Sequence, residues 1–260
     1  MSGSQISLVQ IDNYGPWTVS PAPRAEPDIQ TLQSRLYADL SQFINAHGGY
    51  LFYSRFDNMV AVTNGMEEAA FDRMQESIRN RYPVTISVST ARDPSPAVAL
   101  SRATAELQAA GSAQDGSRRE ICRFVDGPST SWREGDVTIA HFDVVNATGT
   151  YTDLLSAYDT WLEIAEGNVV LMRYLYSEYE GLSFFVGGDN IISVCPDLPA
   201  SAYNDAITYV TNHGDLELQV GVGTGATARQ AGRAAKHALE TCRHEQTRVT
   251  LDSPATQTRE

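Results

Sequence analysis

Alternating and helical patterns of apolar residues divide the first half of the chain into strands and helices. Apolar and polar residues alternate over residues 6–12, which predicts a buried strand that ends at Asp12. From Asp28 to Asn45 the apolar residues recur every three or four positions, which predicts an amphipathic helix closed by two glycines. The next patterns predict a hairpin at 50–63, a helix at 67–80, a strand at 84–90 and a helix at 94–110. The predicted order is βαββαβ with one further helix.

The second half of the chain repeats this order. A strand at 136–143 precedes a helical pattern from Thr152 to Tyr179, which we expect to be interrupted at Gly167-Asn168. The remaining patterns predict a hairpin at 182–195, a helix at 199–212, a strand at 216–222 and a helix at 224–242. Each half therefore predicts the same supersecondary unit.

The spacing of aspartates within the two halves supports a duplication. Asp57 follows Asp12 by 45 positions (57 − 12), and Asp189 follows Asp143 by 46 (189 − 143). The hairpins align with Phe, Asp, Asn and Val in register when residues 52–62 are laid over 184–194. Internal similarity of this kind indicates two copies of one unit, here a ferredoxin-like βαββαβ sheet covered by helices on one face. The predicted fold class is α+β.

Polar composition sets the predicted domain boundaries. Clusters of Gly, Ser, Asp and Arg from Gly111 to Gly135 mark the boundary between the repeats. We predict a first repeat at 1–115, a linker at 116–135, a second repeat at 136–245 and a polar tail at 246–260.

Composition narrows the class of protein. The 260 residues are 42% hydrophobic and 20% charged, and no stretch approaches a membrane span or a secretion signal, so we expect a cytoplasmic protein. The net charge of −13 would repel nucleic acid and fits a protein kept soluble at high salt, as in a halophilic source. Three widely spaced cysteines favour neither disulfides nor a thiolate zinc site. We read them as packing residues.

Carboxylates at strand ends supply the candidate chemistry. Asp143 ends the first strand of the second half, and Asp189 lies in the Gly-Gly-Asp-Asn turn of the neighbouring hairpin. Carboxylate oxygens are ligands for hard cations such as Mg²⁺, so the pair predicts a metal site. Asp12 and Asp57 predict a related site in the first half. A turn-capping role is the alternative for any single aspartate.

The two halves differ around these aspartates. Gly187 and Gly188 in the second hairpin replace Arg55 and Phe56 of the first, which leaves room for the close approach of phosphate. His141 lies two residues before Asp143 and so on the same strand face, and it aligns with Gln10 in the first half. His141 is a candidate general acid or base, or else a structural histidine.

A glycine-rich segment near the C-terminus, Gly221-Val-Gly-Thr-Gly225, lies between a predicted strand and a predicted helix. No Gly-Lys-Ser/Thr follows it, so it is not a P-loop. We predict a tight strand-to-helix turn there rather than a phosphate cradle.

Several longer sequence segments resemble those of archaeal GTP cyclohydrolase III. They are Gln10-Ile-Asp-Asn-Tyr-Gly-Pro-Trp-Thr18, Leu32-Gln-Ser-Arg-Leu-Tyr-Ala-Asp-Leu40, Gln75-Glu-Ser-Ile-Arg-Asn-Arg-Tyr-Pro83, Gly111-Ser-Ala-Gln-Asp115, Ala140-His-Phe-Asp143, Ser156-Ala-Tyr-Asp-Thr160 and Phe185-Val-Gly-Gly-Asp-Asn190. The likeness extends from near the N-terminus to about residue 240. More remotely, the unit is similar to the palm domains of nucleotide cyclases and GGDEF proteins, although this turn lacks their Glu-Phe ending.

The resemblance implies an enzyme that hydrolyses GTP at C8, opens the imidazole ring and keeps the formyl group. The implied products are 2-amino-5-formylamino-6-(5-phosphoribosylamino)pyrimidin-4(3H)-one and two inorganic phosphates, in a step toward archaeal riboflavin and deazaflavin. The implied enzyme is a cyclohydrolase of the IIa type, which acts on C–N bonds of cyclic amidines. The resemblance also implies dependence on Mg²⁺ and activation by K⁺. We expect a homo-oligomer that binds no nucleic acid and no membrane.

The resemblance also assigns roles to individual residues. Asp143 and Asp189 become metal ligands, and His141 becomes a proton carrier. Asp12 and Asp57 either complete the metal site or serve a degenerate copy. The predicted substrate-binding residues are Gly187, Gly188, Asn190, Asn13 and Arg55.

Two other functions remain open from the sequence. A nucleotide cyclase would use a similar two-metal site, leave the base intact and release pyrophosphate. A GTP-binding sensor would hold nucleotide without turnover.

Overall fold

The computed structural model describes residues 3–125 and 136–252. These residues fall into two compact units, one built around Ser4–Asp93 and the other around the chain from residue 136 onward. Parts of the predicted linker and tail, 126–135 and 253–260, lie outside the described residues.

The first unit contains a five-stranded sheet in the order β2-β3-β1-β4-β5. Strand β1 runs antiparallel to both β3 and β4, whereas β4 and β5 run parallel. The elements are β1 (Ser4–Ile11), α1 (Tyr14–Val19), α2 (Glu26–Ala46), β2 (Tyr50–Arg55), β3 (Asn58–Val62), α3 (Glu68–Arg81), β4 (Ile86–Asp93), α4 (Pro96–Ala109) and β5 (Cys122–Val125).

The second unit contains a sheet in the corresponding order, β10-β9-β6-β8-β7. Its elements are β6 (Val137–Val144), a π-helical turn (Thr148–Thr152), α5 (Ala157–Tyr179), β7 (Leu182–Gly187), β8 (Asn190–Cys195), α6 (Ala200–Gly214), β9 (Leu218–Gly225), α7 (Ala228–Glu245) and β10 (Val249–Asp252). The predicted duplication of a ferredoxin-like βαββαβ unit is confirmed.

Helices cover both faces of each sheet, so the prediction of helices on one face was wrong. In the second unit, Phe142 on β6 and Val220 on β9 point into a core shared with α5 and α6. On the opposite face Gly221 and Gly223 let the backbone of α7 approach β9, because a Cβ at Gly221 would lie 2.1 Å from Leu239 N. The Gly221–Gly225 segment is thus a strand packed against a helix, and the predicted tight turn there was wrong.

A fifth strand joins each sheet from a segment expected to be linker or tail. Strand β5 pairs in parallel with β4, and β10 pairs in parallel with β9. Each of these strands has only four residues, so its apolar positions are too few to show a clear period. Phe124 on β5 packs edge-on against Phe71 of α3, with ring centroids 5.3 Å apart, and this contact anchors the strand.

Helix α5 continues through Gly167-Asn168, where an interruption was expected. A Cβ at Gly167 would lie 2.1 Å from Leu216 Cδ1, so the glycine gives that leucine access to the helix. Close packing explains this glycine better than a break in the helix.

None of the described helices is both long enough and apolar enough to cross a membrane.

Candidate active site

Asp143 lies near the end of the central strand β6, on the face that α7 covers. Its neighbours Phe142 and Val144 point into the α5–α6 core, so alternation turns Asp143 the other way. The side chain is buried, with a relative exposure of 3% for the residue. Arg243 on α7 donates from Nη2 to Asp143 Oδ1 at 2.7 Å, and Gln219 on β9 donates from Nε2 to Oδ2 at 2.9 Å. These two donors fix the plane of the carboxylate.

Asp189 lies in the turn between β7 and β8, next to Asn190, which pairs across the sheet with Asp143. Burial raises the pKa of Asp189, and the negative charge of Asp143 raises it further. Arg243 and Lys236 act in the opposite direction. Two carboxylates therefore interact electrostatically at the end of the sheet, as the sequence predicted.

His141, Asn190 and Asp189 form a hydrogen-bonded chain. Asn190 Nδ2 donates to Asp189 Oδ1 at 2.9 Å, and Asn190 Oδ1 lies 2.8 Å from His141 Nε2. Since the Asn190 oxygen can only accept, His141 Nε2 carries a proton and donates it. Burial lowers the pKa of His141, although the hydrogen bond to Asn190 acts in the other direction. A neutral ring then leaves Nδ1 as the basic nitrogen.

The glycines of the turn adopt conformations that side chains rarely reach. Gly187 has φ +111° and Gly188 has φ +64°. A Cβ at Gly187 would meet no atom within 4 Å, so the backbone there faces open space. The turn is accessible beside the two carboxylates.

Helix α7 brings two cations to the same face of the sheet, which the sequence did not reveal. Glu240 accepts a hydrogen bond from Arg243 Nη1 at 2.9 Å and lies 3.1 Å from Lys236 Nζ. Lys236 and Arg243 both act electrostatically on His141 and Asp189. Their spacing along α7 places Lys236, Glu240 and Arg243 on one helical face. This spacing is visible in the sequence, but it points to the site only once that face is known to cover β6.

A cavity of about 450 Å³ borders the residues that hold Asp143. Gln219 and Arg243 line it together with Arg248. The carboxylate of Asp143 therefore lies between the glycine turn on one side and a cavity with arginines on the other.

The carboxylate oxygens at this site suit a hard cation that is bound together with a substrate. Among residues 3–125 and 136–252, no cluster of three or more His, Cys, Asp or Glu side chains could hold a metal ion. Mg²⁺ is commonly held by one or two carboxylates, with waters and substrate phosphates as its other ligands. Each oxygen of Asp143 accepts one hydrogen bond and retains a second lone pair. Asp143 and Asp189 therefore fit such an ion.

The first unit carries a different side chain at the place of Asp143. Asn58 and Asn190 open the third strand of their units and differ by 132 positions (190 − 58). Asn58 pairs across the sheet with Gln10, whereas Asn190 pairs with Asp143. Gln10 is thus the structural counterpart of Asp143, at an offset of 133 (143 − 10).

Backbone contacts after the first strands give the same offset. Asp12 N donates to Thr85 O at 3.0 Å, and Val145 N donates to Glu217 O at 2.9 Å. The next residues, Asn13 and Asn146, both adopt a left-handed conformation, with φ 52° and 50°. Asp12 is therefore the counterpart of Val145.

The sequence alignment of Asp12 with Asp143, and of Gln10 with His141, was therefore wrong by two positions. A shift of two positions keeps every side chain on the same face of a strand, so the alternation of apolar residues does not detect it. The hairpin alignment, which had shared landmark residues, is confirmed.

The carboxylate of Asp12 is buried and accepts three hydrogen bonds from its own unit. Thr85 Oγ1 donates at 2.8 Å, Ser87 Oγ at 2.6 Å and the backbone N–H of Glu120 at 2.9 Å. These contacts favour a structural role, in which Asp12 ties the segment before β5 to β4.

The other predicted residues of the first unit are more exposed. Asp57 lies 3.3 Å from the exposed guanidinium of Arg55 in the β2–β3 turn. Asn13, together with Asp12, lines a cavity of about 180 Å³. The substrate-binding roles of Asn13 and Arg55, and the metal-binding roles of Asp12 and Asp57, stay predictions.

Comparison with known proteins extends over almost the whole chain. The model of the GTP cyclohydrolase III family matches residues 6–255. The chain is 58% identical over 249 residues to GTP cyclohydrolase III of Natronomonas pharaonis. The aligned region covers 96% of this chain and 98% of that protein. It is 55% identical over 249 residues to GTP cyclohydrolase III 1 of Halobacterium salinarum, with the same coverage.

Among solved structures, an EAL/GGDEF domain protein from M. capsulatus is similar with a TM-score of 0.39 and 14% identity. The similarity covers 48% of this chain and 91% of that chain.

Proposed function

The chain belongs to the GTP cyclohydrolase III family, and from this premise we propose that it hydrolyses GTP at C8 of the purine in a reaction that requires Mg²⁺. One water adds to C8 and the C8–N9 bond breaks, so the formyl group stays on the former N7. Two further waters cleave the two outer phosphoanhydride bonds. The products are 2-amino-5-formylamino-6-(5-phosphoribosylamino)pyrimidin-4(3H)-one and two inorganic phosphates.

The observation that carries this proposal is the grouping of Asp143, Asp189 and His141 beside an open glycine turn. Burial raises the pKa of Asp189, and the negative charge of Asp143 raises it further, so the two carboxylates repel each other. A divalent cation between them would relieve this repulsion. We therefore assign Asp143 and Asp189 as the ligands of Mg²⁺, which would supply charge neutralisation to the triphosphate and acidify a bound water. We infer K⁺ as an activator from the family likeness alone.

The substrate phosphates have a physical path past the turn. Gly187 and Gly188 expose backbone without a Cβ, so a triphosphate can approach the carboxylates closely. Arg243 and Lys236 face the same site and add positive charge that would attract the phosphates. Together these residues orient the nucleotide by its charged end.

His141 handles the proton in this proposal. Its Nε2–H is engaged by Asn190, which in turn holds Asp189. The neutral ring keeps Nδ1 available to accept a proton from an attacking water or to return one to the leaving nitrogen. The Asn190 amide thereby sets the tautomer of His141 and the orientation of Asp189 at once.

Product analysis tests the proposal directly. The full-length protein is incubated with GTP, Mg²⁺ and KCl, and the products are identified by mass spectrometry and phosphate assay. We expect the formylaminopyrimidine monophosphate, two phosphates per turnover and loss of the purine ultraviolet spectrum. An intact base with released pyrophosphate would instead establish a nucleotide cyclase. Bound GTP without any product would establish a sensor.

A further inference from the structure

Arg118 in the first unit is a buried cation with an incomplete set of partners. The residue is only 5% exposed, and its Nη1 donates to Gln10 Oε1 at 2.8 Å. Within residues 3–125 and 136–252, no acceptor lies within hydrogen-bonding distance of the buried Nε and Nη2 atoms. None of the ion pairs formed by the described residues includes Arg118. Its positive charge is therefore matched only by a neutral amide.

The direction of the hydrogen bonds leaves one more buried donor nearby. Arginine can only donate, so Gln10 turns its oxygen toward Arg118 and its Nε2 toward Asn58. Gln10 Nε2 then donates to Asn58 Oδ1 at 2.9 Å, so Asn58 Nδ2 is the last donor in this series of hydrogen bonds. This Nδ2 atom is buried and has no acceptor among the described residues. Nitrogen donors therefore remain unpaired at both ends of the Gln10 amide.

The second unit shows how such an arginine is normally matched. There the counterpart of Gln10 is Asp143, whose carboxylate binds Arg243 at 2.7 Å. Arg243 lies on α7 and Arg118 in the segment before β5, so the arginines come from different elements but contact the same strand position. The glutamine at this position in the first unit carries no negative charge. The two repeats therefore differ by one unit of charge at equivalent strand positions.

A buried guanidinium without a counter-ion is strongly unfavourable, and unpaired buried donors add to that cost. We propose that the first unit binds a small inorganic anion, of the size of chloride, held by Arg118 Nε and Nη2. Both nitrogens are donors, so a cation is excluded. Their burial favours a monatomic ion over a phosphate or sulfate group. This site is independent of the proposed catalytic function.

The first test locates the ion in crystals. Crystals of the full-length protein are grown or soaked in KBr, and anomalous diffraction is measured at the bromine edge. We expect a bromide peak in contact with Arg118 Nε and Nη2. Electron density for water alone at that place would overturn the proposal.

The second test compares anions in solution at constant potassium concentration. The melting temperature is measured in KCl, KBr, potassium sulfate and potassium glutamate, for the wild type and for Gln10→Glu. The substitution supplies an internal carboxylate to Arg118, as Asp143 does for Arg243. Salts also act on the whole surface, so the informative quantity is the difference between the two proteins.

We expect chloride and bromide to raise the melting temperature of the wild type by about 2–8 °C more than that of Gln10→Glu. An equal response of both proteins to every anion would overturn the site. A larger effect of sulfate than of halide would overturn the assignment to a monatomic ion. Activity toward GTP takes no part in these measurements, so the proposed function stands or falls separately.

Discussion

Arg243 Nη2 lies 2.7 Å from Asp143 Oδ1 although the two residues are 100 positions apart in the chain. The pair joins the last turns of α7 to the end of β6, and Glu240 holds the other arm of the guanidinium. The arginine thus balances one of the two carboxylates of the proposed metal site, and it joins an exposed cation to a buried carboxylate.

We expect Arg243→Met to destabilise the protein in the absence of Mg²⁺. The substitution leaves the Asp143 charge buried without its cation, which should lower the free energy of unfolding by about 1–3 kcal/mol. Urea unfolding with EDTA measures the loss, and Glu240→Gln, which removes only the exposed partner, is the matched control. Saturating Mg²⁺ should recover more stability in Arg243→Met than in the wild type. Equal unfolding curves for the two variants in EDTA would contradict this account of the pair.

Asp189→Ala should reduce turnover of GTP by at least about a hundredfold, since it removes one of the two proposed metal ligands. The fold should persist because the residue lies in a hairpin turn. Steady-state kinetics over a range of Mg²⁺ concentrations measure the change, and circular dichroism confirms the fold.

Asp57→Ala is the matched variant in the first repeat. We expect its turnover of GTP to fall by less than about tenfold, because Gln10 replaces the second carboxylate there. An equally large loss in Asp57→Ala would establish Asp57 as a functional metal ligand, as the sequence pattern predicts.

His141→Gln separates proton transfer from positioning. The glutamine amide can still donate toward Asn190, but it cannot accept a proton at neutral pH. We therefore expect kcat to fall by about 10²–10⁴-fold with little change in KM. Asn190→Ala, which also releases Asp189, should instead change the Mg²⁺ requirement. Unchanged kcat in His141→Gln would show that the histidine is structural.

The sequence was sufficient to predict the repeated units, the hairpins and the electrostatic proximity of Asp143 and Asp189. It succeeded at the hairpins because Phe, Asp, Asn and Val recur there in both copies. It failed at the first strand because the correct offset of 133 differs by two positions from the one that aligned Asp12 with Asp143. Such a shift is invisible to an alternating pattern.

Arg243 and Arg118 could not be found from the sequence. Each reaches its partner across about 100 positions or more, and only the packing of a helix or loop against the strand brings the charges together. The same limit applies to β5 and β10, whose pairing partners are not encoded in their four residues.

The three cysteines should react slowly with thiol reagents in the folded protein. Burial raises the pKa of Cys122 to about 11 and that of Cys195 to about 12, and Cys242 is buried. Since the thiolate is the reacting form, titration with a disulfide reagent at pH 8 should modify less than one thiol rapidly. Three thiols should react after denaturation in guanidinium chloride. Rapid modification of one native thiol would show that the strand or helix that carries it is more exposed than the structure indicates.

Asp12 provides the sharpest contrast between a structural and a catalytic carboxylate. Its three hydrogen bonds from Thr85, Ser87 and Glu120 are all buried or partly buried. Hydrogen bonds to charged groups contribute about 1.5–3 kcal/mol each when a single partner is removed, and losses of linked bonds do not add fully. We expect Asp12→Ala to lower the free energy of unfolding by about 2–4 kcal/mol, while the concentration of Mg²⁺ that gives half-maximal activity stays within about twofold of the wild type.

Ser87→Ala is the matched control, because it removes one donor to Asp12 and leaves the carboxylate in place. Its loss of stability should be smaller than that of Asp12→Ala and of the same kind, with no change in the Mg²⁺ requirement. If Asp12→Ala kept its stability but needed far more Mg²⁺, the carboxylate would be a metal ligand in spite of its contacts with β4. The free energy of unfolding and the Mg²⁺ requirement therefore distinguish a structural role of Asp12 from a metal-binding role.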